Sequence, residues 1–234
     1  MNTCEQQLEH LLTFFIKVSL LSDRNGNKVF RVRHRKNGQD YVLRILKKQN
    51  DIYLTLCNGR CINLPAVYDV YSCSDGFIVL EEYIDGLTLD EVAQTGKYRK
   101  IGVKRILRQL CNAMQVLHQN GIVHRDIKPE NVMVDKNGRI VLIDFSAARR
   151  ISQKSHDTEV LGTIGYAPPE QFGLKESDER TDIYAAGVLL NVLLTGKHPA
   201  EKIANGHLGR VVAKCTSINP NDRYQTASQL KNSI

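Results

Sequence analysis

The run His124-Arg125-Asp126-Ile127-Lys128-Pro129-Glu130-Asn131 sets a carboxylate, an ammonium and an amide within a few residues of one another, and Asp144-Phe145-Ser146 follows it. Between the two lie Val132-Met133-Val134-Asp135 and Arg139-Ile140-Val141-Leu142-Ile143. These are β-rich runs flanking Asn137-Gly138, a dipeptide that favours a tight hairpin. A hairpin returns its far end beside its start, so Asp144 is expected near Asn131. Together they offer two oxygen-bearing side chains suited to a hard cation such as Mg²⁺. Asp126 stands upstream, where a carboxylate can accept a proton from a substrate hydroxyl. Lys128 can then balance charge that builds on a transferring phosphoryl group. A lone His-Arg-Asp tripeptide would be ordinary surface polarity. The full run, the hairpin and the Asp-Phe beyond it together favour a site.

The elements expected to position these residues fall into two kinds. Residues 3–13 form a short amphipathic helix with Leu8, Leu11 and Leu12 on one side. Strands follow at Phe15 to Leu21, Lys28 to Arg35 and Asp40 to Leu46. The turns between them are Asp23-Arg24-Asn25-Gly26-Asn27 and Lys36-Asn37-Gly38-Gln39. A short helix from Asp51 to Cys57 precedes strands near Ala66 to Ser72 and Phe77 to Glu82. After Asp85-Gly86 the pattern turns helical. Ile106, Leu110, Ala113 and Leu117 recur at three- and four-residue intervals, and a second apolar helix runs from about Asp182 to Leu194 with a glycine stop at Gly196. A sheet-rich front and a helix-rich back imply an α+β, bilobal chain: an extension over 1–14, a small antiparallel-sheet lobe over 15–84 and a mainly helical lobe over 85–234. Glu82 to Gly86 serves as the hinge, and clefts between such lobes are where ligands bind.

Composition narrows the class. At 234 residues, 42% hydrophobic and 24% charged, the chain can bury a real core and reads as an ordinary soluble protein. The net charge of +7 comes from scattered Lys and Arg with one loose cluster from Arg31 to Lys36, so a solvated basic surface is expected rather than nucleic-acid binding. Six widely spread cysteines read as free thiols in a reducing compartment. Cys57 and Cys61 lack a second pair or a histidine partner at zinc-finger spacing. With no long apolar run and an N-terminus interrupted by Glu5, Glu9 and His10, a cytoplasmic location without a membrane segment is expected.

The run from His124 to Asn131 with Asp144-Phe145 resembles the catalytic loop and metal-binding segment of the eukaryotic-type (Hanks-type) protein kinases, and the resemblance extends over roughly residues 15–234. It implies ATP-dependent phosphorylation of serine or threonine hydroxyls on protein substrates, the chain itself included. By that match Asp126 and Lys128 are catalytic, Asn131 and Asp144 hold Mg²⁺, and Arg44, Asp51, Val29, Glu82 and Ile84 bind ATP, the last two through backbone groups at the adenine edge. Glu81 falls at the gatekeeper position, an unusual place for a carboxylate, where it either pairs with a cation or reaches solvent. Glu170, in Ala167-Pro168-Pro169-Glu170, is expected to pair with Arg223, and Asp182 to anchor the catalytic-loop backbone. Lys128 with Thr163 resembles the serine/threonine subclass, and Gly162 to Gly173 resembles bacterial members. Arg125 before Asp126 implies control by phosphate on Ser155, Thr158 or Thr163, with Thr158 favoured.

The sequence also departs from the family pattern. Arg44 stands where the family has a lysine in its third strand, and arginine is longer, planar and fork-shaped. Its expected helix partner is Asp51, one methylene shorter than the usual glutamate. Aligning Leu21 to Val29 with the glycine-rich loop puts Ser22, Arg24 and Asn27 at glycine positions, with Gly26 alone nearby. Arg24 or Lys28 offers a replacement cation there. Ser146 replaces the glycine after Asp-Phe. Two other readings follow: a pseudokinase acting as a nucleotide-binding or scaffolding module, and a small-molecule phosphotransferase. The first is opposed by the complete set Asp126, Lys128, Asn131 and Asp144. The second is opposed by Lys128-Pro129-Glu130 and the Gly162 to Glu170 segment.

Overall fold

The computed structural model describes residues 2–24, 26–48, 50–57, 59, 61–94, 102–151, 165–172 and 177–234. The chain divides into two units, one of Met1–Arg60 with Pro65–Ile84, the other of Cys61–Leu64 with Asp85–Ile234. The protein has an antiparallel five-stranded sheet and helices, an α+β kinase-like fold.

In the first unit, helix α1 (Cys4–Phe14) starts at Thr3, whose hydroxyl accepts the Gln6 N–H while the Gln6 side chain accepts the Thr3 N–H. This reciprocal cap satisfies two helix-end donors and fixes where the helix begins. The sheet order is β1 (Phe15–Arg24), β2 (Asn27–His34), β3 (Asp40–Leu46), β5 (Gly76–Glu82), β4 (Val67–Cys73), with antiparallel neighbours throughout. Helix α2 (Ile52–Cys57) follows β3. One sheet face carries Val32, Leu43, Ile78 and Leu80, which pack with Cys4, Leu11 and Phe15 into a core cluster. The period of two then sends Val42, Arg44, Val79 and Glu81 to the opposite face.

The five-residue turn expected over 23–27 is tighter than its composition implies. Strands β1 and β2 pair as far as Arg24 with Asn27, so of the described residues Gly26 alone is left in the turn. Gly26 adopts φ +78°, the left-handed conformation that a two-residue hairpin requires and that glycine takes without strain. Asn25 lies outside the described residues.

In the second unit, β6 (Gly86–Thr88) leads into helix α3 (Leu89–Gln94). Helix α4 (Val103–Gln119) buries Ile106, Leu107, Leu110, Cys111, Ala113, Met114 and Leu117, the expected stripe and its flanks. The short pair β7 (Ile122–Val123) and β10 (Arg149–Arg150) and the three-stranded sheet β6-β8-β9, with β8 (Val132–Asp135) and β9 (Ile140–Leu142), bracket the candidate site. Helix α5 (Glu179–Thr195) is buried over most of its length and stops at Gly196, which takes φ +71° and gives its N–H to Val192 O at 2.8 Å. Helices α6 (Gly206–Cys215) and α7 (Ala227–Asn232) complete the unit. Among the described residues, no helix is long and apolar enough to cross a membrane.

Candidate active site

The segment that follows β7 is irregular backbone fixed by side chains. Lys128 is extended, and Pro129 starts a 3₁₀ turn over Pro129–Asn131 that hands the chain to β8. The β8–β9 hairpin forms as its Asn-Gly signal requires, with Val132 opposite Leu142 and Val134 opposite Ile140. Just past it, the Ile143 N–H donates to Asn131 O at 2.9 Å, which brings Asp144 beside the start of the hairpin. Arg125 and Asp144 have φ of +69° and +67°, and they are the non-glycine residues with positive φ among the described residues. Such conformations cost about 1–3 kcal/mol each and persist where surrounding bonds over-determine them.

Those bonds are present. The Asp182 carboxylate accepts the His124 N–H at 2.9 Å and the Arg125 N–H at 2.8 Å, and His118 Nε2 donates to it at 2.8 Å. Burial of Asp182 alone would raise its pKa, but the His118 bond, the His118 and His124 charges and the His124 N–H outweigh it, so the carboxyl is held below its ordinary range. Gln171 Nε2 donates to the Arg125 carbonyl at 2.8 Å, which holds the next peptide along. Next to Gln171, Glu170 forms the expected forked pair with Arg223, Nη2 to Oε2 at 3.0 Å. Arg223 also donates to the Ser217, Ile218 and Arg180 carbonyls. A fork with its spare donors satisfied in this way joins two segments far apart in sequence.

Within this frame the polar groups converge. Asp126 Oδ2 lies 2.9 Å from Lys128 Nζ and accepts from Asn131 Nδ2 at 2.8 Å. Asn131 Nδ2 also donates to the Asp126 carbonyl at 2.8 Å. With its nitrogen committed twice, the Asn131 amide turns its oxygen outward as an acceptor. His124 joins the two halves of the site: its Nε2 donates to Ile143 O at 3.1 Å, its Nδ1 accepts the Asp126 N–H at 3.4 Å, and its ring packs edge-on against Phe145. Asp144 Oδ1 accepts the Ser146 N–H at 3.3 Å, so the serine steadies the aspartate through its backbone. A carboxylate and an amide oxygen on adjoining segments are a donor set that fits Mg²⁺.

In the first unit, Arg44 lies opposite Val29 on one side and Val79 on the other. Its Nε donates to Glu81 Oε1 at 2.6 Å, with the two side chains 11% and 3% exposed. Of the two fates open to Glu81, pairing with a cation is the one observed. The pair is diagonal across β3 and β5, a separation long side chains span readily. Asp51 stands just before α2, and its carbonyl accepts the Thr55 N–H at 3.3 Å. The Glu82 N–H donates to Ala66 O at 2.8 Å, and Ile84 is buried. Ser22 and Asn27, read onto glycine positions, are paired strand residues, and Lys28 Nζ sits 3.7 Å from Asp23 in an exposed pair. The candidate phosphorylation positions Ser155, Thr158 and Thr163 lie outside the described residues.

Three supporting side chains escaped the sequence reading: His118, Gln171 and Glu81 in its role as the Arg44 partner. His118 left one trace, since a histidine four residues after Met114 interrupts the apolar stripe of α4. Gln171 and Glu81 left none, because their partners are set by tertiary contact.

With this geometry established, the comparisons with known proteins agree with it. A family model described as the protein kinase domain matches residues 25–234, and the chain belongs to that family. It is 31% identical to the serine/threonine-protein kinase PknB of Mycolicibacterium smegmatis, over 74% of this chain and 33% of that protein. It is 33% identical to the serine/threonine-protein kinase PrkC of Bacillus subtilis, over 74% and 31%. The PknB of Mycobacterium tuberculosis matches at 31% over 74% and 33%. The chain spans about a third of the length of these curated relatives.

Proposed function

We propose that the chain transfers the γ-phosphoryl group of ATP to serine or threonine hydroxyls of protein substrates, its own included. The observation that carries this reading is the convergence of Asp126, Lys128 and Asn131 in one hydrogen-bonded cluster, with Asp144 brought beside it by the hairpin. Asp126 takes or orients the proton of the acceptor hydroxyl. Lys128, already 2.9 Å from Asp126, stabilises the charge on the transferring group. Asn131 and Asp144 hold Mg²⁺, which when bound offsets phosphate charge. Arg44, steadied by Glu81 and by the ion pair expected with Asp51, positions the nucleotide phosphates, and Val29 packs beside Arg44 on the sheet. The adenine edge meets backbone groups of Glu82 and Ile84. Because the Glu82 N–H is given to Ala66, Glu82 contributes its carbonyl. We place the reaction in the cytoplasm, on the six unbridged thiols.

The test is Mg²⁺-dependent transfer of radiolabelled γ-phosphate to the chain and to a generic basic protein, beside Asp126→Asn and Arg44→Ala. Transfer that disappears in Asp126→Asn supports the reading. Equal transfer by the parent and Asp126→Asn would overturn it. No transfer by folded protein that still binds ATP would favour the pseudokinase role instead.

A further inference from the structure

Cys4, Cys73 and Asp75 lie in the first unit, and the phosphotransfer reading gives them no part. Cys4 opens α1, Cys73 closes β4, and Asp75 sits in the turn that leads to β5. Their two sulfurs and a carboxylate oxygen all lie within 4.8 Å of one another. Both thiols are buried at 8% exposure and the carboxylate is at the surface, so the cluster has a soft inner side and an open outer one. We propose that these three side chains form a zinc site that staples α1 to the sheet.

Several observations converge on this reading. The donors come from two chain segments about seventy residues apart and are held by backbone, not by flexible stems. The Cys4 N–H donates to Asp75 Oδ1 at 2.7 Å, and the Ser74 N–H donates to Asn2 O at 3.0 Å. Cys73 pairs with Gly76 across a two-residue turn, which fixes the direction of Asp75. The space for the Cys4 sulfur exists because residue 76 is glycine: a β-carbon there would stand 3.2 Å from Cys4 Sγ and 2.3 Å from Leu46 O. Zn–S bonds of about 2.3 Å and a Zn–O bond of about 2.0–2.2 Å put tetrahedral ligands about 3.3–3.8 Å apart. Side-chain rotation of about 1 Å or less closes the observed cluster to that size.

The donor set selects the metal. Two thiolates and one carboxylate suit Zn²⁺ and disfavour Mg²⁺ or Ca²⁺, which take oxygen alone. On binding, each thiol loses its proton to solvent, two S–Zn bonds and one O–Zn bond form, and water takes the fourth position. A disulfide between the same cysteines would need an external oxidant. Cys4, on α1, precedes the family match that starts at residue 25, whereas Cys73 and Asp75 lie within it. The metal would therefore anchor an element that the matched kinase region does not include.

The test uses the full chain, reduced with a phosphine and loaded with Zn²⁺ alone, then dialysed and read by native mass spectrometry and thermal melting. One zinc per chain is expected, with a higher Tm than the metal-free form. Cys4→Ser and Cys73→Ser should lose the bound zinc. Asp75→Asn should weaken it at least about tenfold, since even residues that only orient a ligand cost that much. A Cys57→Ser/Cys61→Ser chain should keep it. Cd²⁺ added to the unaltered chain should give the ultraviolet band of sulfur ligation, a readout that needs no variant to fold. The proposal is overturned if the reduced chain retains no zinc and shows no such band. It is overturned equally if Cys4→Ser and Cys73→Ser retain zinc, or if the two cysteines are found as a disulfide in a chain that binds no metal once reduced. None of these readouts uses phosphotransfer, so their failure and the failure of the kinase reading are distinguishable.

Discussion

The His124–Asn131 loop of the second unit and the β3–β5 region of the first hold their charged side chains in opposite ways. In the loop, backbone and side chain are interlocked: Asp182 grips two consecutive N–H groups, Gln171 grips the carbonyl of the second residue, and Asn131 is tied twice to Asp126. In β3–β5 the backbone is a regular ladder, and Arg44 donates diagonally across it to Glu81. An interlocked loop tolerates few substitutions, because each side chain satisfies several buried groups at once. A regular ladder supplies the same geometry whichever residues occupy it, so a charge pair there can change its members and still form. That contrast accounts for where the chain keeps the family pattern and where it leaves it.

The largest effect should come from the loop. Asp126→Asn keeps the size of the side chain and removes the proton acceptor, so the transfer rate should fall by about 10²–10⁴-fold with Tm nearly unchanged. A loss under tenfold would show that the carboxylate does not act on the hydroxyl. Asp182→Ala should instead cost about 3–5 kcal/mol of stability in urea unfolding, because it strips partners from buried N–H groups and His118. The Asp182 carboxyl is depressed in the folded chain, so its contribution is present above the unfolded carboxyl range near about 4. It is lost as pH falls through the lower folded value. Asp182→Asn should flatten that acid limb. An unchanged limb would assign it to other carboxylates.

The ladder should respond differently to single and paired changes. Glu81→Ala removes the acceptor of a buried guanidinium and should cost about 3 kcal/mol, whereas Arg44→Met with Glu81→Leu should return stability to within about 1 kcal/mol of the parent. The double variant should still lose ATP binding, measured calorimetrically. If it binds ATP as the parent does, Arg44 holds no phosphate. This pair also marks the limit of what could be read beforehand. The Asn137-Gly138 hairpin and the Gly196 stop were legible because each is local chemistry, and Asp126, Lys128, Asn131 and Asp144 were legible because a hairpin fixes their neighbourhood. Asp51 is suggested as a partner of Arg44 by the helix carboxylate of the family, and Glu81 by its place across the strand pair. The Glu81 bond depends on strand register, which residue types alone do not specify. The turn at Gly26 was drawn too long because polar residues near it pair as strand.

The smallest effect sharpens the contrast between the two carboxylates whose pKa is depressed. Asp40 opens β3 and accepts from Arg33 Nε at 2.7 Å and from Arg31 Nε at 2.9 Å. The Arg33 bond is the main cause that draws its carboxyl down to about 2, with burial opposing and Arg31 assisting. Its stabilisation is therefore present above about 4 and disappears as pH falls toward 2. Unlike Asp182, which is fully buried, this cluster faces solvent, with Arg33 46% exposed. Salt screens exposed pairs and barely reaches buried ones. A carboxyl titration by NMR in about 0.1 M and about 1 M salt should thus move Asp40 toward its ordinary value and leave Asp182 in place. Equal movement of both would mean that Asp182 reaches solvent and that the loop is less interlocked than its hydrogen bonds imply.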